Sequence, residues 1–138
     1  MTDILHLIKL CVGAGGVEDL LDWQRARFGT GTAEHVTRMW PKRGPEILAG
    51  GSLYWVFKGA VLARQRIIGF EERRGADGIL RCALQLAPEV IRTEALPRRP
   101  FQGWRYLAAA DAPRDLPDAR SHDDPLPRSL LTALAEIG

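Results

Sequence analysis

The sequence predicts an α+β fold: a small mixed, mainly antiparallel β-barrel with an N-terminal helix and a short C-terminal helix. Apolar runs of strand length, rich in branched and aromatic residues, recur at 4–12, 52–58, 60–70 and 79–86. Against them stands one long segment, Val17 to Phe28, whose apolar residues fall at helical spacing. From residue 52 onward the strands follow one another through short glycine turns, which join antiparallel neighbours rather than parallel ones.

Taken in order, Ile4 to Val12 is too short for a helix and rich in branched residues, so it reads as a buried first strand ended by Gly13-Ala14-Gly15-Gly16. Val17, Leu20, Leu21, Gln24 and Phe28 then share a helix face, with Glu18 and Asp19 in the first turn and Arg25 and Arg27 in the last. Both ends complement the helix dipole, and Gly29 closes the helix. His35 to Trp40 alternates like a short strand until Pro41 stops it, and Gly44 to Ala49 makes a helical turn leading to Gly50-Gly51. Ser52 to Lys58 is the strongest strand signal and the expected centre of the sheet. Gly59 separates it from its antiparallel partner, Ala60 to Phe70, and Gly75 to Gly78 turns the chain into Ile79 to Leu86. Val90 to Arg92 reads as a short edge strand, Pro97 to Pro100 as extended chain, and Trp104 to Leu107 as the last strand.

At 138 residues the chain is the size of one domain. Its charge is divided: residues 1–108 carry 16 Lys/Arg against 11 Asp/Glu, and residues 109–138 carry 3 against 6. We therefore read a basic α+β barrel at 1–108 and an acidic, Pro/Asp-rich tail at 109–138, whose first part, 109–124, folds back over the basic face. In the tail, Leu130, Leu131, Leu134 and Ile137 form the apolar stripe of the terminal helix. The first residues lack a basic start and cleavage site, and no apolar run is long enough to span a bilayer, so a cytoplasmic protein without a membrane partner is expected. Cys11 and Cys82 lie far apart in apolar segments with no C-x-x-C pair, which predicts two buried, reduced thiols and neither metal nor cofactor.

Gly13 to Gly16 stands where a dinucleotide-binding loop would, but Glu18 replaces the third glycine and no βαβ unit follows, leaving a plain turn. Ser52 approaches a nucleophile elbow, yet Tyr54 occupies a glycine position and the chain enters a strand there, so no catalytic serine is assigned. Ser121-His122-Asp123-Asp124 lies in the Pro/Asp linker, without a scaffold to hold catalytic geometry. His6 reads as a core histidine, whereas His35 stands beside Thr37, Arg38 and Trp40 and has company for a site.

Two segments pair cations with aromatic rings. Residues 35–66 hold Arg38, Lys42, Arg43, Lys58, Arg64 and Arg66 against Glu46, interleaved with Trp40, Tyr54 and Trp55. Residues 92–105 hold Arg92, Arg98, Arg99 and Arg105 against Glu94, with Phe101, Gln102 and Trp104 between them. Single-stranded nucleic acid needs this combination, because cations track the phosphates while bases stack on rings. The leading expectation is a non-enzymatic domain that binds RNA or a modified nucleotide. In it Arg38, Lys42, Arg43, Arg98 and Arg99 contact phosphates and Trp40 and Trp104 offer stacking faces, with His35, Thr37, Arg64, Arg66 and Gln102 completing the candidate surface. Strand alternation sends Leu53, Trp55 and Phe57 to one side and Tyr54, Val56 and Lys58 to the other, so part of this aromatic content serves packing. Two further readings stay open. One is an enzyme acting on a small anionic substrate, phosphorylated or carboxylated, with His35 as base and Arg38 and Arg66 as clamps. The other is an interaction module whose terminal helix docks in a partner's groove.

The motifs His35-Val36-Thr37-Arg38-Met39-Trp40-Pro41-Lys42-Arg43, Gly51 to Gly59, Arg64-Gln65-Arg66-Ile67 and Arg98 to Leu107 together resemble an alphaproteobacterial family known as a domain of unknown function, over nearly all of residues 4–116. The resemblance brings no catalytic residues. A looser, topological likeness over residues 4–107 is to the PUA-like fold with its ASCH and EVE branches. It rests on a strand and helix, then Pro45 to Gly51 leading into an apolar strand, and a returning strand through Arg66-Ile67-Ile68-Gly69-Phe70-Glu71. That likeness implies a small mixed barrel that binds RNA or modified bases in a cleft beside it. The glycine-aspartate turn frequent in those domains is here Gly50-Gly51-Ser52.

Overall fold

A computed structural model describes residues 4–117. Strands β1 (Leu5–Leu10), β2 (Ala33–Thr37), β3 (Ser52–Phe57), β4 (Ala60–Arg74), β5 (Leu80–Leu86), β6 (Ile91–Pro97) and β7 (Trp104–Ala108) accompany helices α1 (Val17–Phe28) and α2 (Gly44–Leu48). The sheet runs in the order β2-β5-β4-β3-β1-β7, and β6 pairs with the first part of β4. Among the described residues only β1 and β3 pair in parallel; the other pairs are antiparallel. The α+β class and the predominance of antiparallel strands agree with the sequence.

The closed barrel does not. β2 and β7 end the order and share no ladder, so the sheet is open. The reason lies just beyond β2. The hydroxyl of Thr37 accepts the amide of Met39 at 3.2 Å, which turns the chain out of the strand earlier than its alternation suggested, and Pro41 has no amide to donate. The segment crosses to β7, where the Trp104 indole donates to the Met39 carbonyl at 2.9 Å and the Tyr106 hydroxyl accepts from the Lys42 amide at 2.9 Å. Side-chain bonds thus stand where ladder bonds would close a barrel.

Two further boundaries differ. β4 runs on past Phe70 to Arg74, because residues 71–74, themselves exposed, pair with residues 80–83 in a ribbon carrying the ion pairs Arg73–Glu34, Arg73–Glu71 and Arg81–Asp77. β6 extends to Pro97, pairing Ala60 with Pro97 and Arg64 with Ile91 along β4. A proline fits at that edge because the partner strand needs no amide from it.

All six residues of β3 are buried, as suits a strand covered on both faces. One face carries Leu53, Trp55 and Phe57 beneath α1, together with Leu5, Leu7, Ala63, Ile67, Leu84, Leu86 and Trp104. The other carries Tyr54 and Val56 with Ile8, Val61 and Leu107, covered by Leu96, Phe101 and Ala112. Cys82 is buried and Cys11 half-buried, and both are free thiols. Among the described residues no helix is long and apolar enough to cross a membrane, and no cluster of His, Cys, Asp and Glu could hold a metal ion.

The described start of the tail, after a short 3-10 turn at Ala109–Asp111, lies along β6. Glu94 donates its amide to the Arg114 carbonyl at 2.8 Å, and Leu116 donates to the Arg92 carbonyl at 2.9 Å. Arg64 grips the Asp115 carboxylate through two bonds of 2.8 Å while its third nitrogen donates to the Ser52 hydroxyl at 2.8 Å. The expected terminal helix, with Leu130, Leu131, Leu134 and Ile137, and the Ser121–Asp124 run lie outside the described residues.

Candidate functional site

Where the parallel strands β1 and β3 end, a cavity of about 530 Å³ opens between the sheet and α1. Its floor and walls are Lys9, Leu20, Trp23, His35 and Trp55, and the chain from Leu10 to Ala14 with Asp19 forms its rim. Sequence dictates this shape locally. The amide of Cys11 still bonds the Val56 carbonyl at 2.9 Å, but Gly13 takes φ +86, which glycine allows, and the chain folds over into α1. The Asp19 carboxylate accepts the Gly15 amide at 2.7 Å, satisfying a donor near the helix start that Gly16, the N-cap, has no side chain to cap.

Trp55 is fixed from behind. Its indole donates to the Gln65 amide oxygen at 2.9 Å, and the Gln65 and Gln24 amides bond reciprocally at 2.8 Å each way, with Gln65 also donating to the Ala87 carbonyl at 3.1 Å. His35 meets Trp55 edge to face, with ring centroids 5.5 Å apart. Trp23 is 45% exposed, and the Arg27 guanidinium lies 5.1 Å from its ring. The cavity is therefore walled by two indoles and an imidazole.

Its polar groups are few and unusual. His35 Nε2 is buried and has no hydrogen-bond partner among the described residues, an arrangement that costs about 1–3 kcal/mol unless something fills it. Burial, and secondarily the charge of Lys9, lowers the His35 pKa to about 4, so the ring is neutral at physiological pH. Burial also lowers the Lys9 pKa and pushes the Cys11 thiol up to about 11, which makes Cys11 a poor nucleophile.

The His35 shift has a consequence for stability. Between pH 6.5 and about 4 the unfolded chain binds a proton at His35 that the folded chain refuses. Stability is therefore fully present above 6.5 and is lost as pH falls toward 4, with a slope of at most about 1.4 kcal/mol per pH unit. Urea midpoints across this range are expected to fall more steeply for the wild type than for His35→Phe. Parallel curves for the two proteins would show that His35 is not the titrating group.

The residues singled out by sequence are divided by the sheet. On β7, Trp104 and Tyr106 share the α1 side, their rings 5.0 Å apart, whereas Arg105 lies 5.5 Å over Phe101 on the other side. Arg38, Trp40 and Lys42 are exposed on the crossing loop, with Trp104 and Tyr106 beneath it. Trp104 itself is buried. Arg43 is bound to Glu46 and sits 6.0 Å from the Tyr106 ring. Thr37 ends β2. Arg64 belongs to the opposite face with Asp115, and the exposed Arg66 alternates with buried Gln65 onto that face, away from His35. Arg98 donates its amide to Gly59 beside the β3–β4 turn, and Arg99 and Gln102 are exposed in the loop before β7. His35, Arg38 and Trp40 thus come from one short segment on one side, but the arginines do not converge there.

Lys9, Asp19 and Trp23 line the cavity without having been singled out by sequence. Trp23 carried a legible signal: it falls off the apolar stripe of α1, and an indole outside the stripe of a helix has no core to enter.

No curated protein and no solved structure matches the chain. A family model described as a protein of unknown function, DUF1489, matches residues 7–138, and the chain belongs to that family.

Proposed function

We propose that the domain is a non-enzymatic RNA-binding module that takes a single unstacked base into the cavity beside β1 and β3. The observation that carries this reading is the wall of Trp23, Trp55 and His35 around 530 Å³, with a buried His35 Nε2 that has no hydrogen-bond partner among the described residues. Flat heteroaromatic rings stack on such walls for roughly 1–3 kcal/mol each and bring edge atoms that satisfy an orphaned nitrogen. The neighbouring loop supplies the rest of a single-strand surface: exposed Trp40 and Met39 between Arg38 and Lys42, on a segment stapled to β7. The PUA-like reading of the fold accords with a cleft beside a mixed sheet, and RNA as ligand places the proposed work in the cytoplasm.

Short single-stranded RNAs titrated at two salt concentrations, with tryptophan fluorescence as readout, test it. Binding is expected to weaken as salt rises. Trp23→Ala, at a half-exposed position where little packing is lost, is expected to weaken affinity by about tenfold or more through one lost stacking face. Absence of binding at low salt, or a Trp23→Ala protein that binds as well as the wild type, would overturn the reading.

A further inference from the structure

The polar groups of the cavity are ordered by depth. His35 Nε2 is buried, Lys9 is half-buried, Asp19 is exposed at the rim, and Lys58 lies just beyond the rim beside Gly15. The Cβ that Gly15 lacks would stand 3.3 Å from Asp19 Oδ2 and 3.6 Å from Lys58 Nζ, so carboxylate and ammonium flank one backbone position just outside the cavity lining. A nucleotide has the same order of chemistry: a flat base, then a sugar with hydroxyl donors, then a phosphate.

Asp19 and the backbone of Lys58 are each set by a local constraint. Asp19 is fixed by the Gly15 amide through Oδ2, while Oδ1 has no hydrogen-bond partner among the described residues. A carboxylate accepts and never donates, so a free oxygen on a rim beside lysines suits a hydroxyl and repels a phosphate. Lys58 is the single non-glycine residue with positive φ among the described residues, at +47, in a two-residue turn completed by Gly59 at +90. Asn or Gly fills such a turn with less strain. In this conformation the Lys58 ammonium stands beside Gly15, one residue past the rim.

We propose that the cavity takes a ribonucleotide base-first, with Asp19 accepting a hydrogen bond from the ribose 2′-hydroxyl and Lys58 pairing with the adjoining phosphate, so that the site selects RNA over DNA. The proposal rests on the base-binding reading above. The 2′-hydroxyl is the group by which a protein distinguishes the two backbones, and a carboxylate is a recognised acceptor for it.

The test compares RNA and DNA oligonucleotides of identical sequence, with U and T matched by using a sequence that contains neither. Wild-type protein is expected to prefer RNA by about tenfold, the value of a hydrogen bond to a charged acceptor. Asp19→Ala is expected to abolish that preference while leaving DNA affinity equal or higher. Lys58→Gly is expected to leave the melting temperature equal or higher, because glycine suits φ +47, yet to weaken RNA binding and lower the salt dependence by about one phosphate contact. Equal affinity of the wild type for RNA and DNA, a preference that survives Asp19→Ala, or unchanged RNA binding in Lys58→Gly would each overturn the proposal while leaving base binding intact. If neither nucleic acid binds, the base-binding reading fails and takes this proposal with it.

Discussion

Gly51→Ala is expected to destabilise the fold by about 4 kcal/mol or more, a loss at the upper end of what single substitutions produce. The cause is space. A Cβ at this position would be driven into the backbone oxygen of Leu5 and would lie 2.8 Å from that of Ile47. Neither atom belongs to a side chain that could rotate away. Relief therefore requires β1 to move from β3, or the end of α2 to move from both. Gly51 is also bonded where it stands, its amide to Ile47 and its carbonyl to the Ile67 amide at 3.0 Å, so the strand cannot simply shift. The β1–β3 contact carries the cavity's floor, and binding should fall with stability. Urea unfolding followed by circular dichroism measures the loss. Gly16→Ala is the control, because Gly16 is extended at φ −172 and a Cβ there meets nothing within 4 Å. A Gly51→Ala protein as stable as Gly16→Ala would refute the close approach.

Gln65→Leu is expected to cost about 3–5 kcal/mol, although the side chain is close in size and the site is fully buried. Leucine strands the Trp55 indole, the Gln24 amide and the Ala87 carbonyl, all bonded to Gln65 in the wild type. The desolvation cost of unmade bonds dominates, since burying both partners as apolar groups is far less harmful than burying one. It follows that Gln24→Leu together with Gln65→Leu should be less destabilising than the sum of the single changes, by about 1–2 kcal/mol of coupling. Thermal melts of the four proteins form the cycle, with a fall of roughly 10 °C for Gln65→Leu. Additive losses would mean that the two amides do not act as a pair. The functional consequence is distinct: releasing Trp55 loosens a cavity wall, so the double variant should recover stability without recovering ligand affinity.

By itself the sequence determined the elements whose signal is local. Ser52–Phe57 and the strand after it, the helix from Val17 to Phe28, and the glycine ends of each were legible because alternation, helical spacing and chain reversal are properties of a few neighbouring residues. Alternation along β3 even separated Trp55 from Tyr54 correctly between the two core clusters. Membership of a family of unknown function was legible too, through motifs spread over the chain, and the family model bears it out.

What only the tertiary structure decided depends on which faces meet. The barrel stayed open because one hydroxyl and one proline turned residues 38–43 out of the ladder, and no periodicity reports that. Arginines grouped in one stretch of sequence parted, Arg38 staying on the crossing loop while Arg64 and Arg66 took the face opposite His35, and Arg64 met Asp115, 51 positions away. The cavity joins the end of β1, one turn of α1, one residue of β2 and one of β3. Its chemistry arises from juxtaposition: His35 has a depressed pKa because the sheet and helix bury it beside Lys9, and Trp55 is a wall because Gln65 and Gln24 hold it. Residue type sets what a group can do, and burial and neighbours, which are fixed only when distant segments pack, set what it does here.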